Sequence, residues 1–546
     1  MLKKSSTEDN LSSIAKSIGR RQSLDINNEY IESSSSASDD DKSEIQDITP
    51  KENDSKQHNH KYKSPLGDIR FHSVSSTIFD SQDFKDSQFF GFYVLFWLGT
   101  AFYMINILVH AYFVKSEFIL EWPVVKLLLK DLYKVGLTDL AMYLSTYFVF
   151  YIQYACKLNV ISWERVGWIV QSVFEIAHLR FWLWFASDSV MGFSWIAKVF
   201  LVLHNLVFIM KMHSYGFYNG YLWKIMKELQ FSESYLARIN SDTDVKIPEG
   251  YTIDQLKSTL QESIEFCKFD LEYQSQATTI KSDAYKFDES RINESLESLQ
   301  AKNIITFPSN ISFFNFFEYS SFPTVVYTLH YPRNERIRWS YVFQKTCAVF
   351  GIIFLMILVA QNWMYPLVLQ CIEVRKLPVQ ERFSRYIFIL LDMIPPFLME
   401  YLFTFFLIWD SILNAIAELT RFADREFYGP WWSCTDWSEF SRIWNVPVHK
   451  FLLRHVYHSS ISSFKVNKFQ AALLTFIISS IVHELVMYVI FGTLRGYLLL
   501  LQMSQIPLVM FSRTAFMKDK KVLGNIICWF GFLSGPSMIC TLYLTY

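Results

Sequence analysis

Residues 469–492 read FQAALLTFIISSIVHELVMYVIFG. The run is apolar and longer than the roughly 20 residues a helix needs to cross a bilayer. Yet His483 and Glu484 stand near its middle, with Ser479 and Ser480 just before them. An ionisable group at the bilayer centre costs roughly 2.5–3.5 kcal/mol or more, so its presence there is informative. A buried histidine is either a satisfied structural group or a base, and position alone leaves the two open. HELVM is not HExxH, because Met487 occupies the place of the second histidine. A zinc metalloprotease is therefore excluded, and no metal is expected. A neutral imidazole suits base chemistry, since burial disfavours its charged form. It can take the proton of an alcohol as that oxygen attacks a carbonyl.

Similar apolar runs lie on both sides. They are Phe89–Phe113, Leu137–Cys156, Val166–Ala186, Met191–Met212, Tyr341–Leu369, Tyr386–Trp409, Tyr497–Phe511 and Leu523–Tyr546. Runs of this length in lipid mean helices. With Phe469–Gly492 they predict an all-α, polytopic membrane protein of about nine transmembrane helices. Between them lie a polar, amphipathic segment at about 215–339 and a segment at about 421–467 dense in Trp, Tyr, His and Arg.

Composition agrees. Hydrophobic residues make up 51% of the 546 and aromatics 18%, while charged residues are only 19%, below the roughly 25% of soluble domains. Net charge is -1, and no basic stripe is interleaved with aromatics, so nucleic-acid binding is excluded. Residues 1–85 are rich in Ser, Asp, Lys and Asn and predict a disordered tail, with residues 86–546 as the membrane domain. The polar N-terminus predicts no cleavable signal peptide. His58 and His60 in the tail read as solvated residues rather than a metal site. The seven cysteines are scattered without a CxxC pair, and a disulfide framework is not expected. Cys528 and Cys540 are the one candidate pair in an oxidising compartment.

Two other spans carry polar groups. Val166–Ala186 holds Glu175, His178 and Arg180; the first two share a helix face and suit a structural tie between helices. Tyr386–Trp409 holds Asp392, Pro395, Pro396 and Glu400, which predict a kinked helix or a tunnel wall beside the kink.

Residues 422–457 read FADREFYGPWWSCTDWSEFSRIWNVPVHKFLLRHVY. The cassette suits an interfacial aromatic belt. It equally suits an aromatic-walled site for a charged co-substrate, with Arg442, Lys450 and Arg454 placed for phosphates.

This cassette, followed by His483–Glu484, resembles the signature of sterol O-acyltransferases in the membrane-bound O-acyltransferase superfamily. The family pattern is FYxDWWN, then WN-x-x-VH, then an intramembrane His followed by Glu. Here stand Phe427, Tyr428, Gly429, Pro430, Trp431, Trp432 and Ser433, then Trp444–Asn445 and Val448–His449. HSYGFYNGYLW at 213–223 and FPTVVYTLHYPRNERIRWSY at 322–341 resemble the fungal branch. Pro430 and Ser433 replace the family's Asp and Asn, which leaves the motif an architectural role, lower activity or shifted selectivity.

The resemblance implies transfer of a long-chain acyl group from acyl-CoA, as co-substrate, to the 3-hydroxyl of a sterol such as ergosterol. It implies His483 as general base and Asn445 as the amide that holds the thioester carbonyl. It places Arg442, His449, Tyr457, Lys468 and Ser479 along the acyl-CoA site. It implies an endoplasmic reticulum membrane, with sterol and membrane lipid as partners and a homodimer or larger homo-oligomer. Nothing near His483 marks an activated nucleophile, so no covalent intermediate is required. A diacylglycerol O-acyltransferase of the same superfamily is the competing enzyme. A non-enzymatic lipid transporter or sensor is the alternative outside catalysis.

Overall fold

Helices satisfy every backbone group within one segment, which is why apolar runs in lipid adopt them. The computed structural model describes residues 62–241, 252–275 and 305–546, apart from Lys63, Asp68, Arg70, Ser75, Lys115, Glu117 and Lys518. His58, His60 and the serine and acidic runs lie outside these residues. Among the described residues there is no strand, only isolated bridges of Val74 with Asp424 and Arg333 with Phe422.

The helices used below are, in chain order, α1 (Phe90–Phe113), α2 (Leu132–Lys157), α3 (Trp168–Ala186), α4 (Trp195–Asn240), α5 (Ile253–Ser275), α6 (Phe313–Ser321), α7 (Trp339–Val374), α8 (Val379–Leu419), α9 (Trp437–Ile443), α10 (Val446–Leu452), α11 (Lys468–Phe491), α12 (Tyr497–Ser512) and α13 (Lys521–Thr545). Seven of them (α1, α2, α4, α7, α8, α11 and α13) are long and apolar enough to cross a membrane. Helix α3 is continuous, but Gln171, Glu175, His178 and Arg180 break its apolar run, and α12 is shorter. Together these nine coincide with the nine apolar runs of the sequence.

One boundary differs from the sequence expectation. Helix α4 does not stop where polarity rises at Tyr215 but runs on to Asn240. The stretch contains no proline, so polarity changes what the helix faces without ending it. Helix α8 passes through Pro395 and Pro396. Its irregular turn comes later, as a π-helical segment at Phe406–Ile412. Asn414 stabilises that turn by donating to the carbonyls of Trp409 and Asp410 at 3.2 and 2.9 Å.

The described structure also begins before residue 86. A 3-10 turn at Ile78–Asp80 leads into a short helix capped by Ser81, whose hydroxyl accepts from Phe84 N. Phe79 there lies against Phe406 and Trp432, both at 5.2 Å between ring centroids.

The chain divides into two compact units. The larger comprises Ile69–Tyr218 and Ile311–Tyr546. Its core gathers Phe403, Phe405, Trp409, Phe422, Phe427, Tyr428, Trp431 and Trp437. The smaller lies within Met1–Asp68 and Asn219–Asn310. There the end of α4 packs on α5 through Tyr235, Leu256 and Leu260.

Candidate active site

His483 and Glu484 are neighbours in α11 and therefore point apart. The His483 side chain is exposed and the Glu484 side chain is buried. His483 Nδ1 lies 2.7 Å from the carbonyl oxygen of Ser479, one turn earlier. A carbonyl only accepts, so Nδ1 carries a proton, and in the neutral form of the ring the lone pair then lies on Nε2. Among the described residues no protein group hydrogen-bonds Nε2. The imidazole is thus held by its own helix through Nδ1.

Glu484 has a separate task. Its carboxylate accepts from the backbone N–H of Gly496 at 2.6 Å and of Leu499 at 3.1 Å, and from the Tyr543 hydroxyl. A negative charge at the start of α12 meets unpaired N–H groups and the positive end of the helix dipole. Glu484 therefore ties α11, α12 and α13 together and does not orient His483.

Asn445 begins α10 as its N-cap. Its Oδ1 accepts from Val448 N at 3.2 Å. The amide oxygen is thereby committed to the helix, and the Nδ2 donors carry no protein hydrogen bond among the described residues. No hydrogen bond joins Asn445 to His483. The π-helical segment Leu453–His458, which continues α10, packs against α11.

The residues expected along the acyl-CoA site occupy this same run. Arg442 is exposed at the end of α9, and Lys468 is exposed at the start of α11. His449, Tyr457 and Ser479 are half-buried. Two neighbouring cations are committed elsewhere. Lys450 pairs with Asp424 at 3.1 Å. Arg454, expected to meet phosphates, is buried and donates to the carbonyl of Tyr327 at 3.1 Å. Burial made that difference: an Arg shut inside takes a protein acceptor because an unpaired buried cation is costly.

The motif at 427–433 is divided by exposure. Phe427, Tyr428 and Trp431 are buried, whereas Pro430 and Ser433 are exposed. The two departures from the family pattern thus fall on the outer side of the loop. Trp431 sits in an aromatic cage with Phe405 at 5.3 Å, Trp444 at 4.9 Å and Tyr401 at 5.6 Å. Each such pair adds about 0.5–1.5 kcal/mol beyond area burial. Helix α13 clamps the loop from one side. Asn525 Nδ2 donates to the carbonyls of Trp432 and Cys434 at 3.0 and 2.9 Å, and Trp529 Nε1 to Trp432 at 3.0 Å. The approach needs glycine twice. A Cβ on Gly524 would lie 2.4 Å from the Thr435 carbonyl oxygen, and one on Gly531 2.3 Å from the Trp437 ring.

Below Tyr428 lies a charge network that the sequence did not single out. The Tyr428 hydroxyl donates to Asp410 Oδ1 at 3.1 Å, beside Thr77 at 3.2 Å. Lys345 bridges Asp410 at 2.8 Å and Asp80 at 2.9 Å. Tyr341 donates to Asp80 at 2.6 Å. Burial pushes the Asp80 carboxyl up, but Lys345 and Tyr341 outweigh it and hold the group below its usual range. Nearby, Glu418 takes Arg338 at 2.9 Å and Arg425. The only sequence signals were the charges of Lys345 and Asp410 in or beside apolar runs.

Glu175 and His178 share a face but do not pair. Glu175 accepts from Gln171 Nε2 at 2.6 Å and contacts His213 Nδ1 at 3.1 Å. His178 meets Asn205 at 3.1 Å and Ser145 at 2.9 Å. Both residues therefore tie helices. The stretch at 213–223 contributes Ser214, which lies 2.8 Å from His455 Nε2 and accepts from Tyr327 N at 2.8 Å. The cysteines are all free. Cys528 and Cys540 lie twelve residues apart on α13, too far apart along one helix to pair.

Two histidines here make stability depend on pH. Burial, then Arg442 and Lys450, lower the pKa of His449. Burial, then His213 and Arg454, lower that of His455 well below its usual value. The unfolded chain binds protons at both sites from about pH 6.5 downward, before the folded chain does. Stability is therefore full above pH 6.5 and falls as pH drops toward the lowered values. Melting temperature from pH 7.5 to 5 should fall, and His455→Gln should flatten the fall. An equally steep fall in that variant would contradict the assignment.

The chain matches the membrane-bound O-acyltransferase family over residues 105–545. It is 64% identical to sterol O-acyltransferase 2 of Candida albicans, over 89% of this chain and 80% of that protein. It is 46% identical to sterol O-acyltransferase 2 of Saccharomyces cerevisiae, over 84% of this chain and 67% of that protein. It is 31% identical to diacylglycerol O-acyltransferase 1 of Dictyostelium discoideum, over only 44% of this chain and 38% of that protein.

Proposed function

The chain belongs to the membrane-bound O-acyltransferase family, and from that premise we propose that it is an acyl-CoA-dependent sterol O-acyltransferase of the endoplasmic reticulum membrane. It makes steryl esters for storage, with ergosterol or a precursor as acceptor. The observation that carries the reading is His483, whose Nδ1 is committed to the Ser479 carbonyl so that Nε2 is the base.

The chemistry balances without a metal or a covalent enzyme intermediate. Nε2 takes the proton of the sterol 3-hydroxyl as that oxygen attacks the thioester carbonyl. Asn445 Nδ2 donates to the oxyanion that develops. The carbon–sulfur bond breaks, CoA leaves as thiolate, and the imidazolium returns the proton to sulfur. Arg442 and Lys468 supply positive charge for the CoA phosphates. His449, Tyr457 and Ser479 line the same path. A lipid-buried site keeps water, the competing acceptor, from the thioester.

Asn445 permits a clean separation of roles. Asp is as good an N-cap as Asn but offers no amide donor. Asn445→Asp should therefore keep the melting temperature and lower kcat by about 10²–10³-fold, the loss typical of one oxyanion donor. Unchanged kcat would remove Asn445 from the chemistry.

Purified protein given labelled oleoyl-CoA with ergosterol or with diacylglycerol tests the substrate. Steryl ester is the expected product. Ester on diacylglycerol alone would assign the competing activity, and no ester with either acceptor would favour a transporter or sensor. We further propose a homodimer or larger homo-oligomer; light scattering that gives a monomer mass would overturn that.

A further inference from the structure

Tyr62 and residues 64–67 are held on α5 through two of its carboxylates, Glu265 and Asp270. Ser64 is buried, and its hydroxyl donates to Asp270 Oδ1 at 2.5 Å and accepts from Gln274 Nε2 at 2.8 Å. Asp270 is fully buried and also accepts from the Tyr221 hydroxyl at 2.5 Å. Tyr62 donates to Glu265 at 3.1 Å and sets its ring edge against Phe266 at 5.8 Å. Gly67 N closes the turn onto Ser64 O at 3.0 Å, with Pro65 exposed at its apex.

The buried hydroxyl is thus followed directly by an exposed proline. Ser-Pro is the dipeptide that proline-directed serine kinases select. We propose that Ser64 is a phosphorylation site, and that its modification releases residues 62–67 from α5. In the transfer, the Ser64 oxygen attacks the γ-phosphorus of ATP and loses its proton, and ADP departs. The product carries roughly −1.5 to −2 charge near neutral pH.

The docked geometry cannot accept that product. It is built around a hydroxyl that donates to a carboxylate. A phosphoryl dianion has no such proton to give, and either ionic form sets like charges together where burial strengthens repulsion. It also has no room, since Ser64 is buried and its hydroxyl oxygen is already enclosed by Asp270 at 2.5 Å, Gln274 at 2.8 Å and the Leu66 N–H at 3.3 Å. Docking and modification therefore exclude each other. A kinase reaches Ser64 when the segment is released, and the phosphate then prevents its return.

The test uses the full chain in detergent, with a purified proline-directed serine kinase and Mg-ATP. Mass spectrometry should find phosphate on Ser64. Hydrogen exchange of peptides covering 62–67 and 264–274 should then rise to the level seen in Ser64→Asp. Asp270→Ala removes the acceptor without touching the Ser-Pro site. It should speed phosphorylation of Ser64 by roughly tenfold, as expected for loss of a hydrogen bond to a charged group. Ser64→Ala should take no phosphate at this position. A Ser64 that stays unmodified in Asp270→Ala, where the segment is released, would overturn the modification site. Full phosphorylation with unchanged exchange would overturn the release.

Discussion

His483→Ala is expected to lower the rate of steryl ester formation by about 10²–10⁴-fold, the range for loss of a positioned general base. Its melting temperature and membrane insertion should match the unaltered protein. The reason lies in the two sides of α11. His483 is exposed and makes one hydrogen bond, to a carbonyl of its own helix, so its removal leaves no buried partner stranded. Glu484 next to it joins Gly496, Leu499 and Tyr543. Glu484→Gln should therefore do the opposite and weaken the fold. Gel-filtration profile, melting temperature and initial rate of both variants read this contrast. Near-full activity in His483→Ala would refute the base assignment.

Lys345→Met should be among the most destabilising single changes, at about 3–5 kcal/mol. Lys345 is 4% exposed and lies between Asp80 and Asp410. A buried ion pair contributes little net stability, but removing one partner strands the other. Here one substitution strands two carboxylates, and they face each other. Asp410 also receives Tyr428, so the damage reaches the motif loop. A lower melting temperature and lower recovery in detergent are expected. Lys345→Met with Asp410→Asn should recover part of the loss, because the second change removes one stranded charge. A single variant that melts with the unaltered protein would contradict the account.

Much of this was legible in the sequence, for physical reasons that differ by element. The nine apolar runs could be read because lipid sets both their length and their composition. His483 stood out because an ionisable group in the middle of an apolar run is costly. Its support was also within reach, since Ser479 lies one turn earlier, but any helix offers such a carbonyl and nothing marks this one. The far end of α4 was hidden because polarity is a poor sign of helix ends when no proline intervenes. The Lys345 network was hidden because its partners Asp80 and Asp410 are far apart in the chain. Arg454 was read toward a phosphate because residue type does not tell an inward side chain from an outward one. Cys528 and Cys540, the one candidate pair, are close in sequence but stand apart along α13.

The most direct test of the central claim is a density map of the protein with bound acyl-CoA. The account predicts the thioester carbonyl oxygen within hydrogen-bonding distance of Asn445 Nδ2. It also predicts His483 Nε2 about 3–3.5 Å from where the attacking sterol oxygen must sit. A thioester held elsewhere, with His483 facing only lipid, would contradict it.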